Sequence, residues 1–213
     1  MMKFTEREIS RFNEVLDMLN EDCFFDHLTG SYDFWGWTEE VRDYEDDDIY
    51  FHAGASKVVV EIDDIGWVLK VDFDNVAYPY CELEADNYAE AEIEGFADLF
   101  AAEYFLCEYE GRQIYVQEQA IPDEDAVSST CYEYYTSDMT EEEAEDWWNY
   151  GGPDSLEDDQ RIAALLGQDM SQAHFNEFLA FIDRLEINDL HTGNFGYRKD
   201  GAVVIFDYSG YQG

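Results

Sequence analysis

Ile187–Asn194, which reads Ile-Asn-Asp-Leu-His-Thr-Gly-Asn, and Val203–Gly210, which reads Val-Val-Ile-Phe-Asp-Tyr-Ser-Gly, are the stretches that decide the fold. Between them, two short apolar runs near residues 195–198 and 202–206 flank the turn Lys-Asp-Gly, a pattern that predicts a β-hairpin. Such a hairpin would bring Asn194 and Asp207 to one end. Amide and carboxylate oxygens are ligands that Mg²⁺ prefers, and two such groups brought together across a hairpin would be able to hold that ion.

The spacing of these polar residues resembles the catalytic loop and the metal-binding segment of the protein-kinase-like superfamily. In that loop, H-R-D-x-x-x-x-N supplies a base aspartate and a metal-binding asparagine. The resemblance implies that Asp189 is a catalytic residue that orients or deprotonates an acceptor hydroxyl, and that Asn194 and Asp207 bind the metal. The form Asp-Leu-His-x-Gly-Asn is more similar to small-molecule kinases than to eukaryotic protein kinases. Taken singly, Asp189 and Asn194 are also typical of loop residues that bond their own backbone.

The same resemblance implies a strand lysine for the ATP phosphates, paired with a glutamate on the next helix. Lys70 lies in the apolar run Trp67–Phe73, where an ammonium is costly to bury unless it is paired. The alternative is a lysine on an edge strand, where its charge prevents aggregation. Glu84 is the predicted partner, with Lys70 and Glu84 in catalytic roles. Three other acids of the same segment stay open as partners: Glu82, Glu90 and Glu92.

The resemblance has gaps. No G-x-G-x-x-G motif is present, and Gly54 is the single glycine where the phosphate-binding loop is expected, so Gly54 and Lys70 are the predicted cofactor-binding residues for ATP. Ile187 stands in place of the H-R-D histidine, and Ser209 in place of the D-F-G glycine. The sequence stops at Gly213, before any activation segment. We therefore expect a short, truncated second lobe that is unable to dock peptide substrates in the eukaryotic manner.

The predicted fold class is α+β, a protein-kinase-like two-lobed fold with a truncated C-terminal lobe. Residues 1–49 would form an N-terminal helix and an acidic, aromatic extension, residues 50–119 the strands and helix of the first lobe, and residues 120–213 the helical second lobe.

The individual elements follow from hydrophobic period and capping signals. The predicted helices cover residues 5–20, 81–105 with a break near Gly95, and shorter segments that begin after Thr140, Ser155 and Ser171. The predicted strands cover residues 57–62, 67–73 and 114–119. Residues 26–50 are expected to be irregular, and residues 120–139 to form a polar connection.

Composition limits the possible partners. Among 213 residues, 52 are acidic and 11 are basic, which gives a net charge of −41, yet 46% are hydrophobic and 17% aromatic. The apolar content predicts a folded chain, whereas the charge argues against direct binding to nucleic acid or to anionic membranes. The expected partner is a basic or DNA-binding protein. The alternative function is therefore a non-enzymatic, highly acidic inhibitor that mimics nucleic acid or covers a basic surface, similar in composition to phage-encoded inhibitors of host defence.

Other features are open to two interpretations or carry little information. The run Tyr44–Asp48 predicts either a solvated loop or a docking patch for a basic partner. Four tryptophans are expected to pack inside the protein, and the alternative is an exposed hot spot for binding: Trp35, Trp37, Trp147 and Trp148. The four cysteines form no C-x-x-C pair, so a zinc site is not expected. With no signal peptide and no long apolar run, a cytoplasmic protein with reduced thiols is predicted.

Overall fold

The structure of the protein is a computed structural model, and it describes residues 4–40, 48–152, 156, 158–166, 170–188 and 190–210. Helices and antiparallel strands are mixed, so the fold class is α+β. The chain divides into two compact units, of which the first comprises residues 1–86 and 102–119, and the second residues 87–101 and 120–213.

The first unit is built on a five-stranded antiparallel sheet in the order β1-β2-β3-β5-β4. Its strands are β1 (Ile49–Ala53), β2 (Lys57–Ile62), β3 (Trp67–Asp72), β4 (Glu103–Tyr109) and β5 (Arg112–Glu118). β3 lies at the centre and pairs with β2 on one side and β5 on the other. This position buries most of β3, which explains its nearly continuous apolar sequence.

Helix α1 (Glu6–Glu21) begins at the predicted capping box, in which Thr5 and Glu8 bond each other's backbone. Its buried face joins the sheet in one apolar core, which includes Phe12 and Leu16 of the helix and Val60 of β2. Residues 1–49 are predicted to form an N-terminal helix and an acidic, aromatic extension. The described part of them packs in the same unit as the sheet, because the amphipathic helix has to bury its apolar face.

The prediction of an irregular segment over residues 26–50 is wrong for most of the part that the structure describes, residues 26–40 and 48–50. A 3₁₀ turn at Phe24–His27 is followed by helix α2 (Ser31–Glu40), and β1 begins at Ile49. Phe34 and Trp37, three residues apart on α2, are both buried in the core of the first unit. Tertiary burial of these rings overrides the weak local helix signal around Gly36. Most of the acidic run Tyr44–Asp48 lies outside the described residues.

Helix α3 (Tyr80–Glu94) is shorter than the helix predicted over residues 81–105. Gly95 has a φ of +88°, and the N–H groups of Gly95 and Phe96 both donate to the Ala91 carbonyl, which ends the helix. Residues 97–99 form a 3₁₀ turn, and the last three residues of the predicted helix, 103–105, belong to strand β4. β4 pairs with β5 in a hairpin, and β5 in turn pairs with β3, which is far away in the sequence, so the sheet decides that outcome.

The second unit contains four helices of its own among the described residues: α4 (Glu124–Thr136), α5 (Glu141–Asn149), α6 (Asp158–Leu166) and α7 (Gln172–Arg184). α5 and α7 begin at the predicted caps Thr140 and Ser171. The polar connection predicted over residues 120–139 is wrong, because α4 occupies most of it. That helix buries Val127 and Cys131, one turn apart, which is too short an apolar stripe to stand out in the sequence.

A small sheet in the order β6-β7-β8 completes the second unit. β6 (Ile121–Pro122) pairs with β7 (Phe195–Tyr197), which forms the predicted hairpin with β8 (Val203–Ile205). Phe178 and Phe181 of α7 pack against Phe96 and Phe100, and Tyr208 packs against Phe100. No helix in the described part of the chain is long and apolar enough to cross a membrane.

Candidate functional site

Lys70 lies at the centre of a buried ion cluster in the first unit. It is only 2% exposed, on the central strand β3. Its Nζ donates to Glu84 Oε2 at 2.5 Å and to Glu103 Oε2 at 2.9 Å. A buried ammonium requires such partners, because an unpaired charge in the protein interior is strongly destabilising. The edge-strand alternative for Lys70 does not apply, because β3 is flanked on both sides.

Glu84 connects two lysines. It lies on α3, is fully buried, and accepts from Lys57 Nζ at 2.7 Å through its other oxygen. Glu82, two residues earlier, lies on the exposed face of the helix. Of the four acids predicted as possible partners of Lys70, Glu84 is the one that forms the ion pair with Lys70. This ion pair joins the third strand of the sheet to the helix that follows it.

Glu103, at the start of β4, is a member of the cluster that sequence reasoning missed. Its Oε2 accepts from Lys70 and also from Gln117 Nε2 at 2.7 Å, whereas its Oε1 is buried without a hydrogen-bond partner among the described residues. Burial raises the pKa of Glu103 to about 8, although Lys70 opposes this shift. No local pattern in the sequence marks Glu103, because it reaches Lys70 only through the pairing of the strands.

The surroundings of Lys70 favour its charged form. Burial by itself lowers the pKa of Lys70, but the Glu103 and Glu84 carboxylates outweigh it, so the pKa is raised above its ordinary value. The ion cluster of Lys57, Lys70, Glu84 and Glu103 thus contains two lysines and two acids. An ammonium has three N–H donors, and the contacts of Lys70 use two of them.

The second unit positions the other predicted residues at the end of the β7–β8 hairpin. The Phe206 N–H donates to the Asn194 carbonyl at 2.9 Å, so Asn194 lies beside the residue that precedes Asp207. Asn194 is 7% exposed and Asp207 is half-buried. The Ser209 hydroxyl lies 3.5 Å from Asp207 Oδ1. Asp189, the predicted catalytic residue, lies outside the described residues.

The loop that leads into this hairpin is held by His191. Its Nδ1 accepts from the Gly193 N–H at 3.1 Å, and its carbonyl accepts from the Asn194 N–H at 2.9 Å. These bonds form a 3₁₀ turn over Thr192–Asn194. The arrangement fixes the backbone of Asn194 next to β7, which is what a ligand residue requires.

The segment after Asp207 is anchored by residues that sequence reasoning did not single out. The Tyr208 hydroxyl donates to the Ala101 carbonyl at 2.7 Å, and Asn87 Nδ2 donates to the Tyr208 carbonyl at 2.9 Å. Gly210 has a φ of +73°, and a side chain there would overlap the Glu186 carbonyl. The glycine that follows Ser209 is therefore required by its backbone conformation and by this close approach.

Gly54, the predicted phosphate-loop glycine, lies in the turn between β1 and β2. Its N–H donates to the Lys57 carbonyl at 3.1 Å. A side chain at this position would meet nothing within 4 Å, so the turn leaves open space above the backbone but does not depend on glycine for steric reasons. Among the described residues, no group of three or more histidine, cysteine or acidic side chains is placed to hold a metal ion.

Comparison with known proteins gave no match to a family model, to a curated protein or to a solved structure. Within the units, the structure brings Lys70 together with Glu84 and places Asn194 and Asp207 at one end of a hairpin. The chemistry of these two groups is therefore argued from their own geometry.

Proposed function

We propose that the protein is a kinase-like protein that binds ATP with Mg²⁺ and transfers a phosphoryl group to a hydroxyl acceptor. The observation that carries the proposal is the buried ion pair between Lys70 on β3 and Glu84 on α3. Lysine and glutamate in this order, on a strand and on the helix that follows it, are the pair that positions ATP phosphates in protein kinases.

The ion cluster fits a phosphate ligand. Lys70 retains one N–H donor beyond its two carboxylate contacts, and Glu84 and Glu103 fix the direction of its side chain. The ammonium groups of Lys57 and Lys70 are the part of the ion cluster that favours an anion. In this protein such a local charge matters, because the net charge of −41 otherwise repels ATP.

The donor set at the hairpin end fits Mg²⁺. Asp207 offers a carboxylate and Asn194 an amide oxygen, and Mg²⁺ is commonly bound by one or two protein ligands together with phosphates and water. The small number of acids there is therefore sufficient. The bound ion would offset the negative charge that is shared by the phosphate oxygens.

The protein's own residues have three tasks in this proposal. Lys70 binds a phosphate oxygen, and Glu84 holds the lysine in position. Asn194 and Asp207 hold the metal. Asp189, five positions before Asn194, orients the acceptor hydroxyl and accepts its proton.

A thermal-shift titration with ATP and Mg²⁺ tests this proposal. We expect millimolar ATP with Mg²⁺ to raise the melting temperature by about 3 °C or more, because a ligand stabilises the state it binds. The shift should be lost in Lys70→Met and in Asp207→Asn, each compared with its own unliganded melting temperature. Asp98→Asn, an exposed acid of the second unit, is the matched control and should keep the shift. Absence of any shift for the wild type at millimolar ATP contradicts the proposal.

A second candidate function is supported by the charge. The chain carries 52 acidic residues, far more than binding of ATP requires, and such a surface attracts basic polypeptides. We propose as the alternative that the protein is an acidic inhibitor of a basic or DNA-binding protein. Binding to that partner should weaken steeply between low and high salt, and affinity that is independent of salt would contradict it.

We also propose a reducing, cytoplasmic compartment for the protein. All four cysteines are free thiols: Cys23, Cys81, Cys107 and Cys131. Free thiols are typical of such a compartment. Mass spectrometry of the alkylated native protein should find no disulfide.

A further inference from the structure

A cavity of about 440 Å³ opens between α4 and α5 in the second unit. Its walls are Ser129, Tyr132 and Glu133 of α4 and Glu145 and Trp148 of α5. It contains none of the residues assigned to nucleotide or metal binding. Two aromatic rings and two carboxylates in one small cavity are a distinctive combination of side chains.

The two rings meet nearly at a right angle. The ring centroids of Tyr132 and Trp148 are 5.6 Å apart, with an angle of 85° between their planes. Trp148 is 44% exposed, so part of its ring remains accessible. Two perpendicular rings form a corner in which a cation can contact the negative face of an aromatic ring.

The aromatic corner is supported from behind. Trp147 stacks on Tyr135 with centroids 4.8 Å apart and lies 6.2 Å from both Tyr132 and Trp148. Gly152 adds a close backbone contact, because a Cβ there would lie 3.1 Å from Trp148 Cε3. These contacts hold the rings in place before any ligand arrives, which reduces the entropic cost of binding.

The carboxylates of the pocket have no cationic partner. Within the part of the chain that the structure describes, Glu133 and Glu145 form no hydrogen bond or ion pair, and both are exposed. The other acids that belong to α5, such as Glu141 and Asp146, add to the negative potential there. A cation that enters the pocket would thus meet opposite charge and aromatic faces together.

We propose that this pocket binds the ammonium or guanidinium group of a lysine or arginine side chain from a basic polypeptide. A metal ion would prefer a set of oxygen ligands over aromatic rings, whereas an organic cation uses both. This inference rests on the second candidate function, for which it specifies the docking site. It is independent of nucleotide binding.

Calorimetric titration with a short synthetic peptide of alternating arginine and serine tests the proposal at low salt. Two pocket variants are used: the double substitution Glu133→Gln with Glu145→Gln, and Trp148→Leu. Each should weaken binding of the peptide about tenfold or more. The matched control is Glu108→Gln with Glu110→Gln, which removes the same charge from exposed positions of the first unit and should leave affinity within about twofold.

The outcomes separate the pocket from the general acidic function. If the pocket variants and the control variant weaken peptide binding equally, the pocket is not the binding site, and the peptide binds to the acidic surface in general. Failure of the wild type to bind the peptide overturns both. If tetramethylammonium chloride binds as tightly as the peptide, the site is one for free small cations and the polypeptide part of the proposal is wrong.

Discussion

The buried ion cluster of the first unit and the aromatic pocket of the second use the same acidic side chain in opposite ways. Glu84 and Glu103 are almost fully buried and contact lysines at hydrogen-bonding distance. Glu133 and Glu145 are exposed and have no partner within the described residues. Burial thus separates carboxylates that hold a cation of the protein itself from carboxylates that are free to bind an external one.

The difference also shows how the few basic residues are used. Of 11 in the chain, two lie in the ion cluster as buried lysines. Others, such as Arg7 and Arg112, form ion pairs at exposed or partly exposed positions, which contribute little to stability. Because buried ion pairs are seldom the most stable solution for a core, the ion cluster points to a specific task for Lys70.

The largest predicted effect comes from breaking the ion cluster. Glu84→Ala leaves Lys57 and Lys70 without their shared carboxylate, and we expect it to lower the free energy of unfolding by about 3–5 kcal/mol. Urea unfolding measures the change. Glu82→Ala, on the exposed face of the same helix, should change it by no more than about 0.5 kcal/mol. Similar values for the two variants would show that burial does not separate the two kinds of acid.

The pH dependence of stability sharpens the role of Glu103. Because burial raises its pKa from 4.5 to about 8, the folded state holds a proton that the unfolded state has released between these values. The contribution of Glu103 to stability should therefore fall as pH rises from 5 to 9. Glu103→Gln, which does not titrate, should remove this fall. Melting temperatures across this range are the measurement, and Glu108→Gln is the exposed control.

A smaller effect is expected at the wall of the pocket. Gly152 has a φ of +52°, and a Cβ would contact Trp148, so Gly152→Ala should destabilise the protein by about 1 kcal/mol and weaken binding of the arginine peptide. Gly111→Ala carries a similar backbone penalty, at a φ of +74°, with open space around it. It should leave peptide binding unchanged. If Gly152→Ala and Gly111→Ala weaken peptide binding equally, the contact between residue 152 and Trp148 has no role in binding.

The smallest effect on stability is expected when the two acids of the pocket are neutralised. Glu133→Gln with Glu145→Gln should change the free energy of unfolding by less than about 0.5 kcal/mol, because neither acid contacts a partner among the described residues. Chemical unfolding of the double variant measures this. A loss of several kcal/mol would place both acids among the structural ones and remove the contrast with Glu84.

Helices and strands that have a capping box or a clear apolar run were predicted from the sequence. Capping boxes located the starts of α1 and α5, and short apolar runs located β2, β3 and the tail hairpin. Strand β4 and helix α4 were missed. β4 is defined by its pairing with β5, whereas the buried apolar side chains of α4 among the described residues are Val127 and Cys131.

The same division applies to the candidate site. The need for an acid beside Lys70 followed from the cost of burying an ammonium, and Glu84 was the predicted acid. Glu103 could not be found in this way, because it reaches Lys70 only through the pairing of β4 with β5, opposite Gln117. Glu133 and Glu145 have no partner among the described residues because of the way α4 and α5 pack. The hydrophobic period of the sequence does not predict that packing.

The proposed function is tested most directly by calorimetric titration of the wild type and Asp207→Asn with ATP, in the presence and absence of Mg²⁺. We predict saturable binding of one ATP by the wild type that requires Mg²⁺ and is lost in the variant, with no binding of adenosine, which lacks phosphates. Absence of binding heat at millimolar ATP, or equal affinity with and without Mg²⁺, would contradict the proposal that Lys70 and the hairpin residues serve a nucleotide.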